Sequence, residues 1–527
     1  MAEGIPWHRL IDAVQLPLAA RVVMEREREY TSTYRSIPLP LTMPAAAPAH
    51  AVFFPYPAQG HVAAALHLAK LLHARAGIRV TFVHSERNRR RVIRSRGAAA
   101  LAGAPGFRFA AVPDGLPLDD DDTPPDVVAL LFSIGACVPH FKKILDEAAA
   151  SGAPATCVVS DIHHVLLAAR EIGLPAVVFW TASACGLMAS LQCKELIARG
   201  IVPLKDAEQL SNGYLDSTVV DWVPGMPADM RLRDFVSFIR TADPDDAVLA
   251  FAVSSMECFR TTTSAVILNT FDELEGEVIA ALSRIFPPIY TVGPLPQLAA
   301  VAASHVDTPG LSASLWPEDG GCLEWLRSRS NRPRSVLYVN FGSIVYLTSQ
   351  QLVELAWGLA DSGHDFLWVI RDDQAKVAGG DPIEMLPTEF GETIKGRGYV
   401  TSWCPQEAVL RHEAIGAFLT HCGWNSMLES ISNGVPMLCY PMGADQQTNC
   451  RYACTEWRIG VEIGDNIERE EVARIAREVM GEEKGEKMSQ RAMEWKERAT
   501  IAVAPGGTSW INLERLVNEV FSPRKSV

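Results

Sequence analysis

The stretch Ala414–Ser430, "AIGAFLTHCGWNSMLES", decides the fold, because an apolar run that reads as a buried strand gives way within one turn to a segment that reads as a helix. Between the two sit His421, Gly423, Asn425, Ser426 and Glu429. A strand entering a helix through a polar turn is the unit of a parallel α/β sheet, whose ligands bind beyond the carboxyl ends of the strands. Gly423 lets backbone come close to a ligand, and the N–H groups around Asn425 and Ser426 have no helical carbonyl to bond, so they point outward at an anion. His421 and the Ser426 hydroxyl add donors, and the helix dipole favours the negative charge. Glu429, one turn further along, has the acceptor-only carboxylate that suits the paired hydroxyls of a ribose. The competing reading is a plain helix start capped by Asn425 or Ser426.

The same alternation extends in both directions. "RSVLYVNFGS", "FLWVIR", "GAFLTH" and "PMLCYP", each followed by a helical segment, predict an α/β domain over residues 331–505. "HAVFFPYP", "IRVTFVH", "TCVVSD", "PAVVFW" and "AVILNT" predict another over residues 50–294. A chain of 527 residues exceeds what one hydrophobic core organises, so two domains are expected. Residues 295–330 are rich in small residues, proline and glycine without a sustained period, and are expected to link them. Residues 506–527 end in a helix, near Trp510–Val520, that can cross back to the first domain. Two such domains facing each other make a cleft.

Composition excludes several partners. A formal charge of −14 argues against nucleic acid, whose phosphates need a basic face. The basic run "RNRRRVIRSR", Arg87–Arg96, reads as the solvated face of an exposed helix rather than an anion site. The acidic run Asp119–Asp122 sits among turn formers and reads as a loop, not a metal site. Eleven cysteines without a Cys-x-x-Cys pair predict reduced, mostly buried thiols and no metal. No apolar run reaches the roughly 20 residues of a membrane span. Residues 1–49 lack an apolar signal core, and Glu25, Glu27 and Glu29 sit badly with a transit peptide. They are expected to form a poorly ordered extension, with Met43 as an alternative start of translation. A cytoplasmic monomer is the expectation.

Around the opening stretch, "WCPQ" offers Trp403 as a flat face for a base, with the Cys404 backbone and Gln406 as hydrogen-bonding partners. Taken alone, such a tryptophan is more often a core aromatic. Asp445 and Gln446 open the next helix and can hold several hydroxyls of a sugar; otherwise Asp445 is a plain cap. The 44 residues Trp403–Gln446 resemble the signature box of plant UDP-glycosyltransferases. The resemblance extends through nearly all of residues 50–520, including "FPYPAQGHV", "VVSD", "VVFWTASAC", "VNFGS" and "APGGTSW". "PDGLP", "FWTASACG", "NTFDELE" and "QQTNCRYACTEW" are most similar to the subgroup containing cyanohydrin and iridoid-aglycone glucosyltransferases.

The resemblance implies two facing Rossmann-like domains of the GT-B type. It implies that Trp403 stacks on uracil, that the Cys404 main chain and Gln406 bond it, and that Glu429 takes the ribose hydroxyls. Ser343, His421, Asn425 and Ser426 would bind the diphosphate. Trp424, Asp445 and Gln446 would face the sugar, and Thr181 would reach its far hydroxyl from the first domain. Gln446 favours glucose. His61 would be the general base and Asp161 the acid that orients it. His163 and His164, directly after, depart from the small or aromatic residues expected there; they line the acceptor pocket or offer a competing base.

This reading implies direct displacement with inversion, giving a β-O-glucoside, with UDP-glucose as co-substrate, no other cofactor, and helix N-terminal donors in place of a metal. The acceptor pocket is expected near Phe132–His140, Cys185–Leu191 and Met226–Phe238, the last with Arg231 and Arg233. The acceptor itself is expected to be a small apolar hydroxyl compound: a cyanohydrin, terpenoid or phenolic. The alternatives are a non-catalytic UDP-sugar-binding or regulatory protein, and a UDP-sugar epimerase with bound nicotinamide. The latter loses support because "PYPAQGHV" lacks the Gly-x-Gly-x-x-Gly spacing.

Overall fold

The computed structural model describes residues 49–115, 127–302, 314–374, 386 and 388–522. The acidic run Asp119–Asp122 and the N-terminal extension up to residue 48, with Met43, lie outside the described residues.

Two parallel sheets organise the chain. The first comprises β1 His50–Phe53, β2 Arg79–Ser85, β3 Phe107–Val112, β4 Cys157–Ser160, β5 Ala176–Trp180, β6 Ala265–Leu268 and β7 Ile289–Thr291, in the order β3-β2-β1-β4-β5-β6-β7. The second comprises β8 Val336–Asn340, β9 Asp365–Val369, β10 Gly398–Thr401, β11 Ile415–Thr420, β12 Met437–Cys439 and β13 Gly460–Glu462, in the order β10-β9-β8-β11-β12-β13. Every pairing is parallel. Central strands such as "VLYVN" and "IGAFLT" are buried at every residue, as strands covered by helices on both faces must be.

Each sheet starts in its middle, builds to one edge, then returns to build the other. The switch falls between β1 and β4 in the first sheet and between β8 and β11 in the second. Crevices open at such switch points, beyond the carboxyl ends of the strands. β1 runs towards His61, β4 ends one residue before Asp161, β8 precedes Ser343 and β11 precedes His421.

Several expectations need amendment. The segment 295–330 is not aperiodic: helices Leu295–Ala302 and Gly321–Arg327 lie in it, and Leu295, Leu298, Cys322 and Leu326 are fully buried. One apolar helix, Val128–Ala150, does have the length and composition to cross a membrane, with a hydropathy of 1.5. Its apolar character has a local cause, since Ile134, Cys137, Phe141 and Leu145 join β4 and helix His163–Glu171 in one core. The basic run forms helix Glu86–Arg96, of which Asn88 and Val92 are buried.

The first domain is pinned to the second by its segment 231–237. Arg233 bridges Asp216 at 3.0 Å, Glu462 at 3.1 Å and Asp465 at 2.9 Å. Ser237 N donates to Ala444 O at 2.9 Å, and Ala444 N returns a bond to Ser237 Oγ at 2.8 Å. Arg231 pairs with Asp234 at 2.8 Å. These two arginines are therefore committed to carboxylates, and the expectation that they line an acceptor pocket gives way to a role at the domain joint. The C-terminal helix Thr508–Leu516 lies on β7, where Ser509 Oγ donates to Gly293 O at 2.5 Å and Asn512 Nδ2 to Thr291 Oγ1 at 2.7 Å.

Candidate active site

β11 ends in a tight reversal. Cys422 takes a positive φ of 65°, uncommon for a side-chain-bearing residue, and helix Trp424–Asn433 starts immediately with Gly423 as N-cap. No side chain caps this helix, so neither Asn425 nor Ser426 plays the capping role, and the first N–H groups stay available to an anion. His421 is packed against two glycines: a Cβ on Gly342 would lie 2.6 Å from its ring, and one on Gly423 2.3 Å. Burial, with help from the Arg371 cation, pushes the His421 pKa down to about 4. It is neutral at physiological pH and can offer an anion an N–H, not a charge.

Arg371, at the end of "FLWVIR", is a residue that reading the sequence for motifs passed over. It is 4% exposed and donates to Gly342 O at 2.5 Å and Val345 O at 3.1 Å, shaping the turn that carries Ser343. Its signal was a cation directly after the apolar run "FLWVI", Phe366–Ile370. Ser343 lines a cleft with Tyr56, Gln59, Leu130 and Trp316.

Trp403 stacks on Trp316, which lines that cleft, with centroids 5.1 Å apart and an interplanar angle of 27°. Its Nε1 donates to Ser314 Oγ at 3.1 Å. Cys404 buries its thiol, so the main chain is what it can present. Gln406 is placed differently from the expected bond to uracil. Its Oε1 accepts from Asn340 Nδ2 at 2.8 Å and Tyr338 OH at 3.1 Å, while Nε2 donates to Glu429 Oε2 at 2.9 Å and Ser426 Oγ at 3.0 Å. Gln406 thus stands beside the carboxylate and orients it.

Desolvation pushes the Glu429 pKa up to about 7, against the lowering effect of the Gln406 bond. Only the ionised form accepts hydroxyl protons with both oxygens. Protonation on acidification therefore weakens ribose binding, and the KM for UDP-glucose is expected to rise about tenfold between roughly pH 8 and pH 6. Glu429→Gln should raise KM throughout and flatten that profile; a wild-type KM indifferent to pH would refute the assignment.

The sugar end is built from both domains. Asp445 opens helix Gln446–Thr455 without a side-chain cap bond, so it is not a plain cap; its Oδ2 accepts from Asn449 Nδ2 at 2.8 Å. Burial raises its pKa. Gln446 Oε1 accepts from Met442 N at 2.9 Å and Gly443 N at 3.1 Å, which leaves its NH₂ group to offer a ligand. Trp424 turns its side chain away, donating to Asn269 O at 2.8 Å and packing 6.0 Å from Trp457, so only its main chain can face a sugar. Asn425 Nδ2 reaches across to Gly60 O at 2.7 Å, joining the helix start to the residue before His61.

His61 Nδ1 donates to Asp161 Oδ2 at 2.5 Å, the histidine side chain being 38% exposed and the aspartate 4%. Asp161 Oδ1 accepts from Tyr56 N at 2.7 Å. Thr181 Oγ1 lies 2.8 Å from His61 Nδ1 and 3.2 Å from Asp161 Oδ2, beside the pair. With Nδ1 committed, Nε2 is the nitrogen left to take a proton. His163 is not a competing base: it is buried, with Nδ1 2.8 Å from Ser255 Oγ, and packs against the tilted ring of His164 at 3.9 Å and edge-to-face against Phe251 at 4.8 Å. Of the other expected acceptor elements, helix Ala184–Leu191 buries Ala184 through Ser190 completely and so supports the site from behind.

Among the described residues, Cys422, Cys439 and Cys450 have their sulfurs within 4.8 Å of one another, close enough to hold a metal ion. Burial pushes the Cys422 thiol well up, and its hydrogen bond to Cys422 does the same for Cys439. The three buried thiols hydrogen-bond one another within the core.

The His61–Asp161 pair, the uncapped helix start at Trp424 and the neighbourhood of Asp445 come together where the two domains meet, and comparison with known proteins gives the class. A family model described as UDP-glucoronosyl and UDP-glucosyl transferase matches residues 254–492. The chain is 48% identical over 481 residues to 7-deoxyloganetin glucosyltransferase of Gardenia jasminoides, covering 90% of this chain and 98% of that protein. It is 48% identical over 483 residues to (R)-mandelonitrile beta-glucosyltransferase of Prunus dulcis, with 90% and 98% covered. The structure of Phytolacca americana UGT2 complexed with UDP-2fluoro-glucose and pterostilbene superposes with a TM-score of 0.72 at 26% identity, covering 90% of this chain and 99% of that one. The chain belongs to the plant UDP-glycosyltransferase family and has its GT-B fold. It is a UDP-glucosyltransferase.

Proposed function

We propose that this enzyme transfers glucose from UDP-glucose to a hydroxyl of a small apolar plant metabolite, with inversion and without a metal. The observation that carries the reading is the His61–Asp161 pair, with Nδ1 given to the carboxylate and Nε2 left for the acceptor proton. As the acceptor oxygen attacks the anomeric carbon, His61 takes its proton and Asp161 stabilises the imidazolium. The bond to the diphosphate breaks on the opposite face, so an α-linked donor gives a β-glucoside. The charge that develops on UDP meets the N–H groups at Trp424–Ser426, the His421 ring and the Ser343 turn, fixed dipoles that need no reorganisation.

The acceptor class follows from the relatives, which act on an iridoid aglycone and on a cyanohydrin. Both substrates carry a hydroxyl on a compact, largely apolar body. Phe132, Phe251, His163 and His164 form an aromatic cluster in the first domain, which supports an apolar acceptor. The test is UDP release from UDP-glucose with a panel of cyanohydrins, terpenoid alcohols and phenols in EDTA, with the anomeric configuration of the product read by NMR. Acceptor-dependent release and a β-glucoside are expected; an α-glucoside, or loss of activity in EDTA restored by a divalent cation, overturns the mechanism.

A further inference from the structure

The sugar-recognising carboxylate does not stand alone. Asn449, one helical turn after Asp445, is completely buried and uses its whole amide. One N–H of Nδ2 goes to Asp445 Oδ2 at 2.8 Å, and the other to Cys422 O at 3.0 Å, in the reversal that starts the diphosphate helix. Oδ1 accepts from Ser183 Oγ of the first domain at 2.6 Å. Ser183 is itself fixed, since it caps helix Ala184–Leu191 by accepting from Gly186 N at 2.9 Å. Behind it, the fully buried Glu275 receives Ala184 N at 3.1 Å and Cys185 N at 2.8 Å. Gly186 closes the contact, because a Cβ there would lie 2.9 Å from Asp445 Cβ.

We propose that Asn449 is the positioning residue of the sugar site: with Ser183 it sets the rotamer of the Asp445 carboxylate and makes that orientation depend on contact between the two domains. The proposal rests on the reading that Asp445 faces the transferred sugar. A carboxylate on a short side chain has two torsions to fix, and a misplacement of about an ångström at a reacting sugar costs orders of magnitude in rate. The Asn449 amide fixes one oxygen and leaves the other for a sugar hydroxyl. Ser183 removes the amide's freedom to flip, because only one of its two ends can accept the serine proton. The three anchors lie on the first domain, the diphosphate turn and the sugar-binding helix, so the carboxylate is aimed only when all three are in register.

A double-mutant cycle tests this, with kcat/KM for UDP-glucose, the inhibition constant of UDP, and thermal unfolding measured for Asn449→Ala, Asp445→Asn, the pair together, and Ser183→Ala. Asn449→Ala is expected to lower kcat/KM for UDP-glucose by about tenfold or more while leaving inhibition by UDP, which has no sugar, within about twofold of wild type. In the Asp445→Asn background the same substitution should have little further effect, since the group it positions is gone. Ser183→Ala, which removes only the hydroxyl, should show the same pattern at smaller size and covers the case in which Asn449→Ala does not fold. Equal losses in UDP inhibition and kcat/KM, or additive effects in the double variant, would mean a purely structural role and overturn the proposal. If Asp445→Asn alone leaves kcat/KM unchanged, the reading of Asp445 fails instead, and that outcome is distinguishable from the others.

Discussion

Replacing His61 by alanine is expected to lower acceptor-dependent UDP release by about 10²- to 10⁴-fold, the range general-base catalysis supplies, while the KM for UDP-glucose stays within a small factor. Almost all of the proposed donor-binding residues lie in the second domain, so the loss is expected to fall on kcat. Asp161→Asn should be comparably damaging, at the upper end of that range, about 10³- to 10⁴-fold, for a reason visible in its bonds. Tyr56 N donates to Asp161 Oδ1, so an asparagine must turn its carbonyl oxygen there and its NH₂ towards His61 Nδ1. That amide can only donate. The imidazole would have to accept on Nδ1 and carry its proton on Nε2, the tautomer that cannot act as base. Raising the pH does not reverse a tautomer, so the Asp161→Asn deficit should persist across the accessible range. A deficit that disappears in mild alkali would point to a charge effect and refute the orienting role.

Gly342→Ala is expected to weaken UDP-glucose binding by about 10- to 100-fold and to lower the melting temperature. Two costs coincide there. The backbone has φ of +70°, where a side chain costs roughly 1–2 kcal/mol, and the new methyl would lie 2.6 Å from the His421 ring, an overlap that costs about 1–3 kcal/mol. The ring cannot retreat without leaving the diphosphate turn. Gly363→Ala separates the two effects, because its φ of +78° is similar but no atom lies within 4 Å. It should lose stability and keep donor affinity, as followed by thermal shift with and without UDP. Equal donor affinities for the two variants would show that His421 does not shape the nucleotide site.

The strands that sequence patterns revealed and those they missed divide by position. "HAVFFPYP", "TCVVSD", "PAVVFW", "GAFLTH" and "PMLCYP" mark interior strands, buried at nearly every residue, so their apolar runs are continuous. The unnoticed strands are β3, β7, β10 and β13, the four edges of the two sheets. β10, "GYVT", is half-exposed throughout, and β13 is three residues long, so neither carries a run that a pattern can detect. The site divides similarly. Residues whose chemistry is local, such as His421 beside a glycine-opened helix, were legible. Gln406 and Arg233 were misplaced because partners of theirs lie 20 and 232 residues away, and a side chain's allegiance at that distance is decided by folding. Asn449 sat in plain view within "QQTNCRYACTEW", but nothing in its neighbours announces a serine from the other domain.

The chain passes between the domains twice, once through residues 295–330 and again where helix Glu483–Val503 gives way to helix Thr508–Leu516 on β7. Two covalent crossings act as the two pins of a hinge: sliding one domain along the other would strain both, whereas rotation about the line joining them strains neither. A swing about that line is the motion these two connections permit, and the Ser183–Asn449 bond between the domains is one that such a swing would have to break. Cutting the chain after residue 505 would remove one pin while leaving every residue of the cleft in place, and catalysis would then fail for want of alignment, not of chemistry.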